Sequence, residues 1–327
     1  MSLAVGVIGA GVMGAEHARI LREQTRGAHL AAVCDADPAR AVGAAAGARA
    51  FADAHALITS NDVQAVVVAS PDATHAEYVL ATLAAGKPVL CEKPIAATAA
   101  DALRVVDAEV ALSRRLVQVG FMRRFDAGYA EMRQARMEGS IGTPTVVHNV
   151  HRNLAAPEWF TGAMAVTNAF IHEIDISRWL LDSEIVAAQI FPAGGVGTLV
   201  IVMRTDKGEI ISTEVSVNGG YGYHVHAQIV GTNGTIETTV PTHTLTNQAG
   251  VHAFQFPPNW VPRFAQAYRD EMQAWVDAIA RGSATGASAW DGYVATAIAE
   301  NIAASLPGGL AVEIALPARP PLYAEKV

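Results

Sequence analysis

The stretch Gly9-Ala10-Gly11-Val12-Met13-Gly14 limits what this chain can fold into more than any other. It follows the apolar run of residues 3–9 and opens a run of helical spacing over residues 11–26, so a strand must turn abruptly into a helix. Each glycine answers a steric demand. Gly9 permits the tight turn, Gly11 lets a ligand approach the backbone, and Gly14 lets helix and strand pack closely. The unit then repeats. Residues 29–34, 64–69, 88–91 and 116–120 read as apolar strands, with helical runs at 37–46, 74–85 and 98–113 between them. Apolar strands alternating with helices predict a parallel sheet covered on both faces.

After Phe121 the rhythm changes. Residues 145–152, 185–191, 198–204, 209–217 and 224–231 alternate in part, as strands with one wetter face do, and turns such as Asp206-Lys207-Gly208 join them. Residues 263–281 and 289–305 read as helices. The expected class is therefore α/β, with a doubly wound Rossmann sheet in residues 1–120. An α+β domain with a large, mostly antiparallel open sheet is expected over residues 121–327. A length of 327 residues agrees with two domains.

Composition removes several functions. The formal net charge of −8, with no cluster of Lys or Arg, argues against nucleic acid or an anionic membrane as partner. With 51% hydrophobic and 17% charged residues, the chain can bury a sizeable core. No apolar run is long enough to span a bilayer, and the N-terminus enters a strand with no basic leader, so a cytoplasmic protein is expected. Cys34 and Cys91 read as reduced structural thiols. The eleven histidines are scattered without His-Glu-x-x-His spacing, so no metal is expected.

Asp35 lies 21 residues beyond Gly14, at the end of the second strand. A carboxylate there accepts hydrogen bonds from ribose hydroxyls and repels a 2′-phosphate, which favours NAD over NADP. The helix after Gly11 offers free N–H groups and its positive dipole end to the pyrophosphate.

Glu92-Lys93-Pro94 places Lys93 at the carboxyl end of a sheet strand, where ligands bind in open α/β folds. Such a lysine can hold a substrate hydroxyl oxygen and assist proton transfer. Taken alone, the tripeptide reads more simply as a surface loop, with Pro94 fixing the backbone and a cis peptide open to it. Asn168 and His172 stand four residues apart in an apolar, helix-like run and should project from one face. His172 can take a hydroxyl proton as hydride leaves. A core histidine and an N-capping asparagine are the plainer readings of the two, and Asp175 and Trp179 on the same stripe read as packing.

These residues resemble those of the glucose–fructose oxidoreductase and inositol dehydrogenase family. Gly120-Phe121-Met122-Arg123-Arg124-Phe125-Asp126, His151-Arg152-Asn153, Ile171-His172-Glu173-Ile174-Asp175, Tyr221-Gly222-Tyr223 and Ala289-Trp290-Asp291-Gly292-Tyr293 carry the likeness over nearly the whole chain. They are most similar to the myo-inositol 2-dehydrogenase branch. The resemblance implies oxidation of a secondary ring hydroxyl to a ketone with hydride passing to NAD. It makes Lys93, His172 and Asn168 the catalytic set. It implies cofactor contacts from Gly9, Gly11, Val12, Met13, Gly14, Asp35, Ser70, His75, Glu92 and Lys93. Met122, Arg123, His151, Asn153, Asn168, His172 and Tyr223 then line the polyol or sugar pocket. A homotetramer with sheets packed face to face is implied as well.

One departure is specific. The family usually has Asp-Thr where this chain has Asn168-Ala169. Asparagine keeps the shape and an acceptor but loses the charge, and a missing carboxylate should lower the pKa of a neighbouring cationic acid such as His172 or Lys93. An altered substrate is expected: another cyclitol, a pyranose sugar, or a keto-inositol reduced in the reverse direction. A non-catalytic dinucleotide-binding regulator is the alternative of another class, with Asn168 in its favour and Lys93 and His172 against it.

Overall fold

The computed structural model describes residues 2–160, 162–193, 197–239 and 244–324. They fall into two compact units, one of residues 1–122, 266–297 and 317–327, the other of residues 123–265 and 298–316.

In the first unit, strands β1 (Leu3–Ile8), β2 (Ala28–Cys34), β3 (Arg49–Phe51), β4 (Ala65–Val68), β5 (Val89–Glu92) and β6 (Val117–Gly120) form one sheet. Its order is β3-β2-β1-β4-β5-β6 and every pairing is parallel. Helices α1 (Val12–Glu23), α2 (Pro38–Ala45), α3 (Ala54–Thr59), α4 (His75–Ala84) and α5 (Ala99–Ala111) connect the strands. β4, β5 and β6 are buried at every position, which is why they are mostly apolar, with Glu92 at the end of β5 and Gln118 in β6 as the polar exceptions. Strand order reverses between β1 and β4, and a ligand crevice opens at the carboxyl ends of strands at such a reversal.

The second unit begins with α6 (Ala127–Met137) and β7 (Pro144–Arg152). Next come α7 (Gly162–Met164), a π-helical turn (Ala165–Phe170) and α8 (Ile171–Leu181). Strands β8 (Ile185–Pro192), β9 (Thr198–Thr205), β10 (Ile210–Ser216), β11 (His224–Gly231) and β12 (Gly234–Glu237) follow, then the small hairpin β13 (Thr246–Gln248) and β14 (Val251–Ala253) and the short α9 (Trp260–Arg263). The chain continues through α10 (Ala265–Arg281), α11 (Ala289–Ser305) and β15 (Ala311–Glu313). The large sheet runs β12-β11-β7-β10-β9-β8-β15. Only β7 and β10 run parallel in it; the remaining neighbours are antiparallel.

Burial explains the alternation. Leu199, Ile201 and Met203 on β9 and Val225, Ala227 and Ile229 on β11 are buried, while the residues between them are half-exposed. One face of the sheet is thus core, and α8 packs on it at β7. No helix of the described residues is long and apolar enough to cross a membrane.

Candidate active site

In the first unit, the three glycines of the β1–α1 turn divide into two kinds. Gly9 has φ +91°, and a Cβ on it would lie 2.5 Å from the Ala69 carbonyl and the Ser70 nitrogen. A Cβ on Gly14 would come 1.8 Å from the Gly9 oxygen. Both are glycine because the protein's own backbone occupies that space. A Cβ on Gly11 would meet nothing within 4 Å. That space belongs to no part of the chain, and α1 begins beside it with Gly11 as N-cap and no side chain capping it. The start of the helix, with its positive dipole end, thus faces that open space without a side-chain cap, as an anion site requires. Val12 and Met13 make the first turn, with Val12 exposed.

Asp35 sits where the second strand ends. Its carboxylate accepts from the Ala10 N–H at 2.7 Å and the Asp37 N–H at 2.8 Å, and Arg40 Nε lies 3.4 Å away. A carboxylate has about four lone-pair sites, so acceptors remain for two ribose hydroxyls. Open space at Gly11, an uncapped helix start and a part-used carboxylate fit NAD.

The loops after β4 and β5 are tied together by His75. Its ring is buried, with Nε2 2.8 Å from the Ser70 carbonyl oxygen and Nδ1 2.6 Å from that of Pro94. Ser70 Oγ meets Thr74 Oγ1 at 2.7 Å. The Lys93–Pro94 peptide is cis, and Lys93 is half-buried. Glu92 is buried, one oxygen 2.8 Å from Nε2 of the buried His17 on α1 and the other accepting the Lys93 N–H at 3.3 Å. Burial pushes the Glu92 carboxyl up, but the hydrogen bond and charge of His17, with Lys93, outweigh it and hold the group below the usual carboxylate range. His17 was not among the residues singled out from sequence. A histidine inside an amphipathic helix reads as core, and its partner lies 75 positions away.

The two cysteines are free and buried, and burial pushes the Cys34 thiol up to about 11, which suits inert structural thiols.

In the second unit, every residue of α8 except Trp179 is buried, including His172, Glu173, Asp175, Ser177 and Arg178. The charges are paired. Glu173 accepts from Arg123 Nη1 and lies 3.1 Å from His151 Nδ1. Asp175 holds Arg124 through two bonds of 2.6 and 2.9 Å, and Arg178 holds Glu184 through bonds of 2.7 and 3.0 Å. Burial raises the Glu173 carboxyl, and the charge of Arg123 together with the hydrogen bond from His151 overcomes that to hold it below the usual range.

The expected helix around Asn168 and His172 exists but is not uniform. Asn168 lies half-buried in the π turn and the buried His172 in the first turn of α8. Such wide turns recur at functional sites because they re-aim side chains within a helix. Of the pocket residues expected from sequence, the second unit brings together Arg123, His151 and Tyr223. Tyr223 meets the His151 ring edge-on, with centroids 5.7 Å apart, and burial pushes its hydroxyl up so that it stays a neutral donor. The Oδ1 of Asn153 is buried with no hydrogen-bond partner among the described residues, an acceptor waiting for a donor. Met122 is buried within the first unit.

Comparison with known proteins matches this geometry. Residues 3–121 match the oxidoreductase family, NAD-binding Rossmann fold, and residues 135–314 match the oxidoreductase family, C-terminal alpha/beta domain. The chain is 48% identical to inositol 2-dehydrogenase 1 of Saccharopolyspora erythraea, covering 99% of both chains. It is 43% identical to the inositol 2-dehydrogenase of Agrobacterium fabrum, covering 99% of this chain and 100% of that one. Among solved structures, the myo-inositol dehydrogenase of Lactobacillus casei in complex with NAD(H) and myo-inositol superposes with a TM-score of 0.94. It is 33% identical, covering 99% of this chain and 100% of that one.

Proposed function

Because the chain belongs to this oxidoreductase family with its NAD-binding Rossmann fold, we propose that it oxidises a secondary ring hydroxyl of a cyclitol, myo-inositol or a stereoisomer, to the ketone. NAD, when bound, supplies the hydride acceptor. The observation that carries the reading is full-length similarity to inositol dehydrogenases in a chain whose Gly11 space, α1 start without a side-chain cap and Asp35 carboxylate fit that cofactor.

The proposed roles follow from the side chains. Lys93 holds the reacting hydroxyl oxygen, and its backbone is anchored by Glu92. His172 takes the hydroxyl proton, and Asn168 orients the ring through hydrogen bonds without adding charge. Arg123, His151, Asn153 and Tyr223, with Met122, recognise the remaining hydroxyls. His75 serves the cofactor loops by joining Ser70 to Pro94. Residues 1–120 serve the cofactor and the chain from residue 121 serves the substrate. Asn168 favours a substrate other than the one its relatives' names give: a different cyclitol stereoisomer, or a pyranose.

We propose further that the protein is a cytoplasmic homotetramer. Two free buried cysteines agree with a reducing compartment. The second face of the large sheet presents half-exposed Val146, Val150, Val200, Val202 and Ile210 around the Arg152–Glu214 ion pair, a surface suited to a second copy.

NADH formation over a panel of inositol stereoisomers and pyranoses tests the function. One ring alcohol turned over well above the rest is expected, and Lys93→Ala should reduce that rate by roughly a hundredfold or more with NAD affinity intact. NAD binding without turnover of any panel member, in either direction, would point to a regulator instead.

A further inference from the structure

Glu173 has no role in the chemistry above, yet it is the residue around which the buried charges of the second unit are arranged. It is fully buried in the first turn of α8, bonded to Arg123 Nη1 and 3.1 Å from His151 Nδ1. Arg123 Nη2 lies 3.3 Å from that same Nδ1. We infer that Glu173 is a positioning residue that keeps a proton on His151 Nδ1 and thereby makes Nε2 the acceptor for a substrate hydroxyl. This rests on the cyclitol dehydrogenase reading, since that reading puts His151 against the ring hydroxyls.

The argument is one of donors and acceptors. A guanidinium only donates and a carboxylate only accepts. One imidazole nitrogen cannot satisfy both. Were Nδ1 bare, it would accept from Arg123 and turn its lone pair toward a carboxylate oxygen 3.1 Å away, in a buried site where the low dielectric softens the repulsion little. With a proton on Nδ1, the ring donates a charge-assisted bond to Glu173, and the longer contact to Arg123 is only a neighbour. Arg123 keeps its bond to Glu173 through Nη1, and its charge balances that of Glu173. Glu173 therefore stays an acceptor, and the neutral ring has one free nitrogen, Nε2, without a proton.

The consequence is a preference in the substrate. Asn153 offers a second buried acceptor, Oδ1, with no partner among the described residues. Two acceptors, one near the end of β7 and one just beyond it, ask for hydroxyl donors. A ring position bearing a methoxy group or fluorine, which can accept but not donate, leaves a buried acceptor unpaired and is rejected. In this respect Glu173 governs recognition from a distance, through the ring it holds.

Nitrogen-15 NMR of the histidine rings tests the inference on the intact protein, with the His151 signals identified by their loss in His151→Asn. A ring protonated on Nδ1 alone is the expected result; a ring protonated only on Nε2, or an imidazolium protonated on both nitrogens, would overturn the inference. Kinetics supply the second measurement. Glu173→Gln presents an amide that can donate to Nδ1 and so reverse the ring's polarity. We expect KM for the cyclitol to rise roughly ten- to a hundredfold, the range of a hydrogen bond to a charged partner, with kcat and NAD affinity changed far less. The variant should also lose the wild-type preference for hydroxyl over fluorine in monodeoxyfluoro cyclitols. An unchanged preference in a folded Glu173→Gln protein would count against the inference, and if that variant does not fold the NMR result decides alone. Failure of the wild type to oxidise any cyclitol would remove the functional reading and leave the ring's proton to be decided separately.

Discussion

Each unit contains one buried histidine–carboxylate pair: His17 with Glu92 in the first, His151 with Glu173 in the second. Both carboxylates are held below their usual range against the pull of burial. They differ in what the carboxylate does with its remaining capacity. Glu92 spends it on the Lys93 backbone N–H, so that pair fixes a stretch of chain. Glu173 spends it on the guanidinium of Arg123, which is itself fully buried, so that pair fixes a ring and neutralises a charge. The same two residue types thus serve different ends. A pair that carries a buried counter-ion should be far less tolerant of losing one partner than a pair that anchors a backbone amide.

The largest effect should come from Arg123→Met. It leaves Glu173 buried with no guanidinium, and breaking a buried ion pair from one side costs about 3–5 kcal/mol. For a chain of this size that corresponds to a fall in Tm of roughly 4–7 °C, read by scanning calorimetry. The double variant Arg123→Met with Glu173→Gln removes both charges and should recover a large part of the loss. A double variant no more stable than the single one would mean that charge balance is not what holds this region.

Glu92→Gln should do less to stability and more to turnover. The amide keeps a single oxygen, which can accept from His17 or from the Lys93 N–H but not from both, so the expected cost is about 1–3 kcal/mol for losing one bond to a charged acceptor. If the carboxylate steadies Lys93, kcat should fall roughly tenfold while KM for NAD is unchanged, the signature of a contact that matters only in the transition state. Unchanged kcat in a folded variant would leave Glu92 a packing residue and remove the contrast between the pairs.

The two pairs also mark where sequence reading stops. The parallel sheet was legible because β4, β5 and β6 are buried on both faces and so are mostly apolar, broken only by Glu92 and Gln118. The glycine roles were legible because Gly9 and Gly14 answer steric demands of the turn itself and Gly11 leaves open space beside the backbone. The long strands of the second unit showed through their alternation, whereas β3, β13, β14 and β15, at three residues each, have no period to detect. α6 escaped because only Tyr129 and Met132 of its eleven residues are buried, too sparse a stripe to stand out. Lys93, Asn168 and His172 emerged through resemblance more than through periodicity. Glu173 was in plain view inside a quoted motif, but a carboxylate in an apolar helix announces only that a partner is needed. His151 lies 22 positions earlier and Arg123 lies 50, so only the fold names them.

The smallest effect is invisible at neutral pH and appears in acid. Both carboxylates have folded-state pKa values lowered relative to the unfolded chain, where glutamate titrates near about 4.3. The unfolded state therefore takes up protons first as pH falls. The stability these groups contribute is fully present above that unfolded value and is lost as pH drops through the folded ones. Each group can add at most about 1.4 kcal/mol per pH unit to the acid slope. Unfolding by urea at a series of pH values below 5 should show a shallower decline in Glu92→Gln than in the wild type, and likewise in the charge-free double variant of the second pair. Because the pairs lie in different units, the two reductions should add when the substitutions are combined. A combined variant that keeps the full wild-type slope would place the acid sensitivity in other carboxylates and deny both pairs the depressed pKa that makes them comparable.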